Sequence, residues 1–158
     1  EQVRLVRRFG SPIYYGDASR LDLLEMAGAK QAKVFVLAID DVESSLNTAK
    51  MVKEHFPNLT IFARARNRQH VFDLMRLGIT LIFRETLVSS LEMAEEVLLS
   101  LGKTKEQAKD SIQKFRAHDE ASLVDQFKIF GDEAQLINYA QQSSRQLAEL
   151  FKTDQNLK

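Results

Sequence analysis

From Ile13 to Phe83 the chain alternates short apolar or β-branched runs with amphipathic stretches, and beyond Phe83 that alternation stops. The runs are Ile13-Tyr14-Tyr15, Val34 to Ile39, Leu59 to Ala63 and Leu81-Ile82-Phe83. Between them the apolar residues recur at helical spacing. Strands and helices in strict succession, joined by a few residues, are the signature of βαβ units wound right-handedly on a parallel sheet. The run Val34-Phe35-Val36-Leu37-Ala38-Ile39 has no polar residue on either face, as a strand buried inside such a sheet does. The predicted fold class is therefore α/β, with a parallel sheet.

Punctuation residues set the expected boundaries. Residues 1–10 read as a helix stopped by Gly10, and Pro12 starts the first strand. Leu21, Leu23, Leu24 and Met26 predict a short helix closed by Gly28, with Asp17 or Ser19 as its cap. Val42 to Phe56 predicts a helix ended by Pro57, and Val71 to Leu77 another ended by Gly78. Thr86 to Leu101, Lys103 to Arg116 and Ser122 to Phe151 follow as helices, with interruptions near His118-Asp119-Glu120 and at Gly131-Asp132. The division expected is an α/β domain over residues 1–102 and a helical extension over residues 103–158. Apolar positions in that extension, such as Phe115, Phe127 and Leu147, require a neighbouring domain or a second subunit for burial.

Several chemistries are absent. Lys+Arg and Asp+Glu stand at 22 each, so there is no basic excess of the kind that nucleic-acid backbones or anionic membranes attract. With no cysteine there is no disulfide, thiolate nucleophile or Cys-ligated metal. No apolar run approaches the roughly 20 residues that span a bilayer. The chain holds no G-x-G-x-x-G, P-loop, G-x-S-x-G or H-E-x-x-H, and His55, His70 and His118 fall into no metal-ligand spacing. No catalytic residue, metal site or enzyme class emerges.

What remains lies at the strand ends, where α/β sheets bind ligands. Gly16-Asp17-Ala18-Ser19 places a carboxylate and a hydroxyl after the first strand, suited either to a ribose or adenine edge or to simple helix capping. Asp40-Asp41 holds the same position after the second strand. Arg64, Arg66, Arg68, Arg76 and Arg84 follow with no lysine among them. Arginine's planar fork binds carboxylate or phosphate bidentately. Arg64, Arg66 and Arg84 are expected to converge on the carboxyl edge of the sheet as an anion site. The competing reading is a set of surface salt bridges, for instance Arg84 with Glu85 or a helix acid.

In order, Tyr15-Gly16-Asp17-Ala18-Ser19, Leu23-Leu24-Glu25-Met26-Ala27-Gly28, Ala38-Ile39-Asp40-Asp41, Ala63-Arg64-Ala65-Arg66 and Arg84-Glu85-Thr86 resemble the RCK/KTN nucleotide-binding domains that regulate potassium transport. In particular they resemble the C-terminal regulatory domain of bacterial glutathione-gated potassium efflux systems of the Kef type. The resemblance covers almost the whole chain. It implies a Rossmann-like, doubly wound α/β sheet in a non-catalytic homodimeric domain at the cytoplasmic face of the bacterial inner membrane, beneath a cation:proton antiporter in the same polypeptide. A quinone-oxidoreductase-like ancillary subunit is a further implied partner. In that family glutathione holds the transporter closed and glutathione adducts of electrophiles open it.

Carried over by position, the resemblance places Asp17, Ala18, Ser19, Asp40, Arg64 and Arg66 around an adenine nucleotide, NADH, NAD or AMP. It places Arg84 on a glutathione carboxylate, Phe9 where a bulky adduct presses, and Asp119 where a polar residue meets glutathione across the dimer. The family's first βαβ unit, with its glycine-rich turn and ribose-binding acid, has no counterpart here, so the sequence reads as a fragment. A sheet lacking that unit exposes apolar surface along Val34 to Ile39. Two other functions are compatible with the alternation. A fragment of an NAD-dependent oxidoreductase needs a proton donor beside the nicotinamide, and no strand end offers a clearly suited His, Lys or Tyr. A ligand-free dimerisation module needs neither nucleotide nor glutathione.

Overall fold

In the computed structural model, residues 16–153 are described. The helix predicted over residues 1–10, the strand predicted at residues 13–15, and Phe9 lie outside them. Helix α1 (Leu21–Met26) ends before Gly28, whose φ of 88° is the left-handed conformation glycine reaches without a Cβ penalty. A 3-10 turn (Ala29–Gln31) leads into β1 (Val34–Leu37). Then follow α2 (Val42–His55), β2 (Thr60–Ala65), α3 (Arg68–Arg76), β3 (Leu81–Arg84), α4 (Leu87–Ser100), α5 (Lys105–Lys128) and α6 (Glu133–Thr153).

The chain divides into two compact units. Among the described residues, one comprises 16–66 with 73–83 and the other 67–72 with 84–153.

The first unit holds the sheet, in the order β1-β2-β3. Strands β1 and β2 are parallel, with Val34 opposite Thr60 and Leu37 opposite Ala63. Alternation along β2 buries Ile61, Ala63 and Ala65 and turns Thr60, Phe62 and Arg64 to the other face. Helix α2 packs on β1, and its Ala49 and Val52 are buried. Burying a side chain such as Leu37 or Val52 contributes about 1.5–3 kcal/mol.

The expectation that β1 is buried on both faces is corrected. Val34 and Val36 remain 50% and 69% exposed, because they share the sheet face on which Phe62 stacks with Phe83 at a centroid distance of 6.2 Å. The companion expectation, apolar exposure along this strand, is what the structure has.

The second unit is helical. Helix α5 packs against α4 on one side and α6 on the other. It starts with a capping box: the Gln107 N–H donates to Thr104 Oγ1 at 3.3 Å, and the Thr104 N–H donates to Gln107 Oε1 at 3.0 Å. Phe72 is buried against Phe130 and Phe127, at centroid distances of 4.8 and 6.1 Å.

The interruption predicted near His118-Asp119-Glu120 does not exist, since α5 runs unbroken from Lys105 to Lys128. Two side-chain interactions explain the difference. Arg116 pairs with Glu120 one turn on, at 2.9 Å, and Asp119 is satisfied by cations from other elements instead of bonding its own backbone. The predicted break at Gly131-Asp132 is present. Gly131 has φ 108°, and the Asp132 carboxylate accepts from the Gln135 N–H at 3.0 Å to open α6.

Candidate functional site

The strand-end residues of the first unit form two local clusters. In one, the Asp17 carboxylate accepts from the Ser19 hydroxyl at 2.7 Å and the Ser19 N–H at 2.9 Å. These bonds from the Ser19 side chain and backbone hold the Asp17 carboxyl below its ordinary value. Asp17 and Ser19 are exposed and Ala18 is half-buried. The expectation that Asp17 or Ser19 caps α1 is corrected: Arg20 is the N-cap and makes no side-chain cap bond. Asp17 instead closes a turn two residues long, which fixes its carboxylate in front of the helix.

In the other cluster, Arg64 lies on the exposed face of β2 and reaches back to β1. Its guanidinium donates to the Ala38 carbonyl at 3.0 Å and pairs with the Asp40 carboxylate. Arg66 Nη1 donates to the Asp40 carbonyl at 3.4 Å. The adjacent acid has another role. Asp41 caps α2, accepting from the Ser44 N–H at 2.8 Å, and its carboxyl is lowered by the Ser44 hydrogen bonds. Of the predicted pair of strand-end acids, Asp40 pairs with Arg64, whereas Asp41 accepts its hydrogen bond from Ser44 and feels only the charge of Arg66.

This donor set fits an adenine nucleotide. A carboxylate such as Asp17 can accept from hydroxyl or amine groups, and the guanidiniums of Arg64 and Arg66 carry the N–H donors and positive charge that a phosphate takes.

The second unit holds a different constellation, built on Asp119. This residue is buried on α5, its side chain only 10% exposed. One carboxylate oxygen accepts from Arg68 and the other from Arg84, whose side chain is 13% exposed. Arg68 also donates through Nη1 to Gln126 Oε1 at 3.0 Å, one further α5 residue on the same cation. Burial alone raises the Asp119 carboxyl's pKa, but the Arg84 hydrogen bond and the charges of Arg68 and Arg84 overcome it, leaving the group below its ordinary value. Of the two earlier readings of Arg84, its partner is a helix acid. That acid is buried and shared, however, unlike a surface salt bridge.

The predicted arginines thus serve different acceptors, Arg64 and Arg84 separate carboxylates and Arg66 a backbone carbonyl. Arg64 and Arg66 gather at Asp40, while Arg84 meets Asp119 within one chain. Sequence reasoning singled out Arg84 and Asp119 but gave no role to Arg68 or Gln126. The signal for Arg68 was its place just after Asn67, whose side chain accepts from the His70 N–H at 2.9 Å and fixes the first turn of α3. For Gln126 the sequence holds no such signal. Beside Asp119 on α5, His118 Nε2 meets Ser143 Oγ at 2.9 Å and Ser143 meets buried Ser122 at 3.1 Å, a polar seam between α5 and α6. An apolar groove of about 760 Å³ lies between α4 and α5, lined mainly by Leu87, Leu91, Val97, Ile112 and Phe115.

Among the described residues, no group of three or more His, Asp or Glu is arranged to hold a metal ion, and no helix is long and apolar enough to cross a membrane.

Two family models match the chain. Residues 1–85 match the TrkA-N domain, and residues 89–158 match the potassium efflux system KefB C-terminal domain. Among solved structures, the chain is similar to a Shewanella denitrificans Kef C-terminal domain in AMP-bound form. The two are 37% identical with a TM-score of 0.72, and the match covers 81% of this chain and 90% of that one.

Proposed function

This chain belongs to the C-terminal regulatory domains of Kef-type potassium efflux systems, and we propose that in such a system it gates efflux by reading glutathione and its adducts. The observation that carries this reading is the pair of guanidiniums, largely buried Arg84 and half-exposed Arg68, around the single buried carboxylate of Asp119. Glutathione brings two carboxylates and an ammonium group. Arg84 is the donor for a carboxylate, and Asp119, from its own or the partner subunit's chain, is the acceptor for the amine.

Asp17, Ala18, Ser19, Asp40, Arg64 and Arg66 hold an adenine nucleotide in this proposal. AMP is favoured because the similar Kef domain was solved in AMP-bound form, with NADH and NAD as the other candidates. The nucleotide is structural here and supplies charge and hydrogen-bonding groups, with no chemistry. The domain acts as a homodimer on the cytoplasmic face of the inner membrane, coupled to the antiporter portion of its own polypeptide and to a quinone-oxidoreductase-like ancillary subunit.

The physical logic is a two-state equilibrium. A ligand moves such an equilibrium only through different affinities for the two states, so glutathione must bind the closed arrangement better and a bulky adduct the open one. Phe9, outside the described residues, is the aromatic group against which an adduct's sulfur substituent presses.

Calorimetric titration of the full chain with glutathione, with and without AMP, tests the reading. Saturable binding that is lost in Arg84→Met supports it. Binding of neither compound leaves only a dimerisation module.

A further inference from the structure

Two guanidiniums share one carboxylate in the second unit, and that imbalance is the feature the proposed function leaves unexplained. Asp119 Oδ1 goes to Arg68 and Oδ2 to Arg84. Gln126 is neutral and only orients Arg68. The cluster therefore carries two positive charges against one negative. Arg84 and Asp119 are largely buried while Arg68 is half-exposed, so an excess positive charge is unfavourable chiefly at Arg84, where a second carboxylate would balance it.

We propose that Arg68 is the residue that keeps Arg84 available for an anion: by taking half of Asp119, it leaves the cluster one carboxylate short. When a ligand carboxylate arrives at Arg84, Asp119 stays paired with Arg68 and no buried charge is stranded. Without Arg68, the Asp119 carboxylate neutralises Arg84 by itself, and a ligand has to displace an internal anion. Arg68 is thus a positioning residue acting through Asp119, and the chemical class of ligand is a carboxylate. This rests on the reading of Arg84 as the ligand-carboxylate site.

The charge count gives each substitution a sign. Arg68→Gln takes the cluster from one net positive charge to none, although Arg84 is untouched. Adding Asp119→Asn to that variant restores one net positive charge. Asp119→Asn alone raises it to two.

The test follows the thermal unfolding midpoint of the full chain during titration with sodium formate, a bare carboxylate, and separately with glutathione. Circular dichroism first confirms that each variant is folded. Formate is expected to raise the wild-type midpoint, with most of the rise lost in Arg68→Gln and regained in the double variant. A merely structural role for Arg68 does not predict that regain. If Arg68→Gln does not fold, Asp119→Asn decides, with a formate response larger than wild type expected. The inference is overturned by an absent formate effect in wild type, an equal rise in wild type and Arg68→Gln, no regain in the double variant, or an Asp119→Asn response at or below wild type. Glutathione acting no more strongly than formate at equal concentration overturns the glutathione reading instead, and leaves the charge argument standing.

Discussion

Arg84 at the end of β3 and Asp119 in the middle of α5 are 35 residues apart in sequence and joined by a largely buried ion pair. The pair ties a strand end to a helix that a strand-by-strand reading would treat as a separate appendage. Asp119 also holds Arg68 at the start of α3, so one carboxylate fastens three elements.

Replacing Arg84 with Met removes one of these attachments and leaves Asp119 on Arg68 alone. Taking away one partner of a buried polar group costs about 1–3 kcal/mol, and the remaining arginine keeps the loss within that range. Urea unfolding of the full chain checks it. A change within about 0.5 kcal/mol, the ordinary span for surface substitutions, would show that the pair contributes nothing to stability.

Acid should weaken the fold through the same carboxylate. Asp119 titrates below its ordinary value because Arg84 and Arg68 outweigh its burial. A carboxyl with a depressed folded pKa contributes stability that is fully present above the unfolded value, near pH 4, and is lost as pH falls through the folded one. Stability should therefore drop below about pH 4, and Asp119→Asn should flatten that part of the curve. Equal slopes for the two proteins between about pH 4 and pH 2 would contradict this.

Legibility in the sequence follows the range of each interaction. The βαβ succession was readable because period-2 and period-3.6 patterns are local, and glycines with positive φ, such as Gly28, Gly78 and Gly102, mark helix ends. The false break at Asp119 arose because an aspartate in mid-helix reads locally as a stop signal. Its arginine partners lie 35 and 51 residues away, beyond the reach of any window. The same applies to β1, whose apolar run forecast burial while Val34 and Val36 stay exposed on the face opposite buried Leu37. At the strand ends, the sequence grouped Arg84 with Arg64 and Arg66, but Arg64 and Arg66 bond to Asp40 and Arg84 bonds to Asp119. Which of Asp40 and Asp41 would cap α2 was decided by backbone geometry at Ser44.

The start of α5 offers a purely local test. Thr104 and Gln107 satisfy each other's backbone N–H groups, and Thr104→Ala removes the hydroxyl acceptor. Loss of an N-cap costs about 1 kcal/mol, read as a lower thermal midpoint with unchanged glutathione affinity. If affinity falls with stability, the cap also shapes the ligand site.

Phe72 reports on packing within the second unit. It is buried against Phe127 and Phe130, so Phe72→Ala leaves a cavity between α3 and the end of α5. Truncations of this kind cost about 3–5 kcal/mol. Phe72→Leu, which retains most of the volume, should recover more than half of the loss in a urea titration. Equal effects of the two variants would mean that the rings are not packed as described.

Arg64 separates the nucleotide from the glutathione arm of the proposed switch. Its guanidinium pairs with Asp40 and donates to the Ala38 carbonyl, so it braces the end of β1 while presenting charge at the strand ends. Arg64→Ala should weaken AMP binding at least about tenfold, the equivalent of roughly 1.4 kcal/mol for one charge-assisted contact. Because Arg84, Asp119 and Arg68 lie in the other unit, the glutathione contacts proposed for them are untouched by this substitution. Calorimetry with each ligand alone should then show AMP affinity reduced and glutathione affinity close to wild type. In the presence of saturating AMP, any difference in glutathione affinity between wild type and Arg64→Ala measures the coupling between the two sites. If Arg64→Ala binds AMP as wild type does, the nucleotide does not use this arginine, and Asp40 serves only to close the loop after β1.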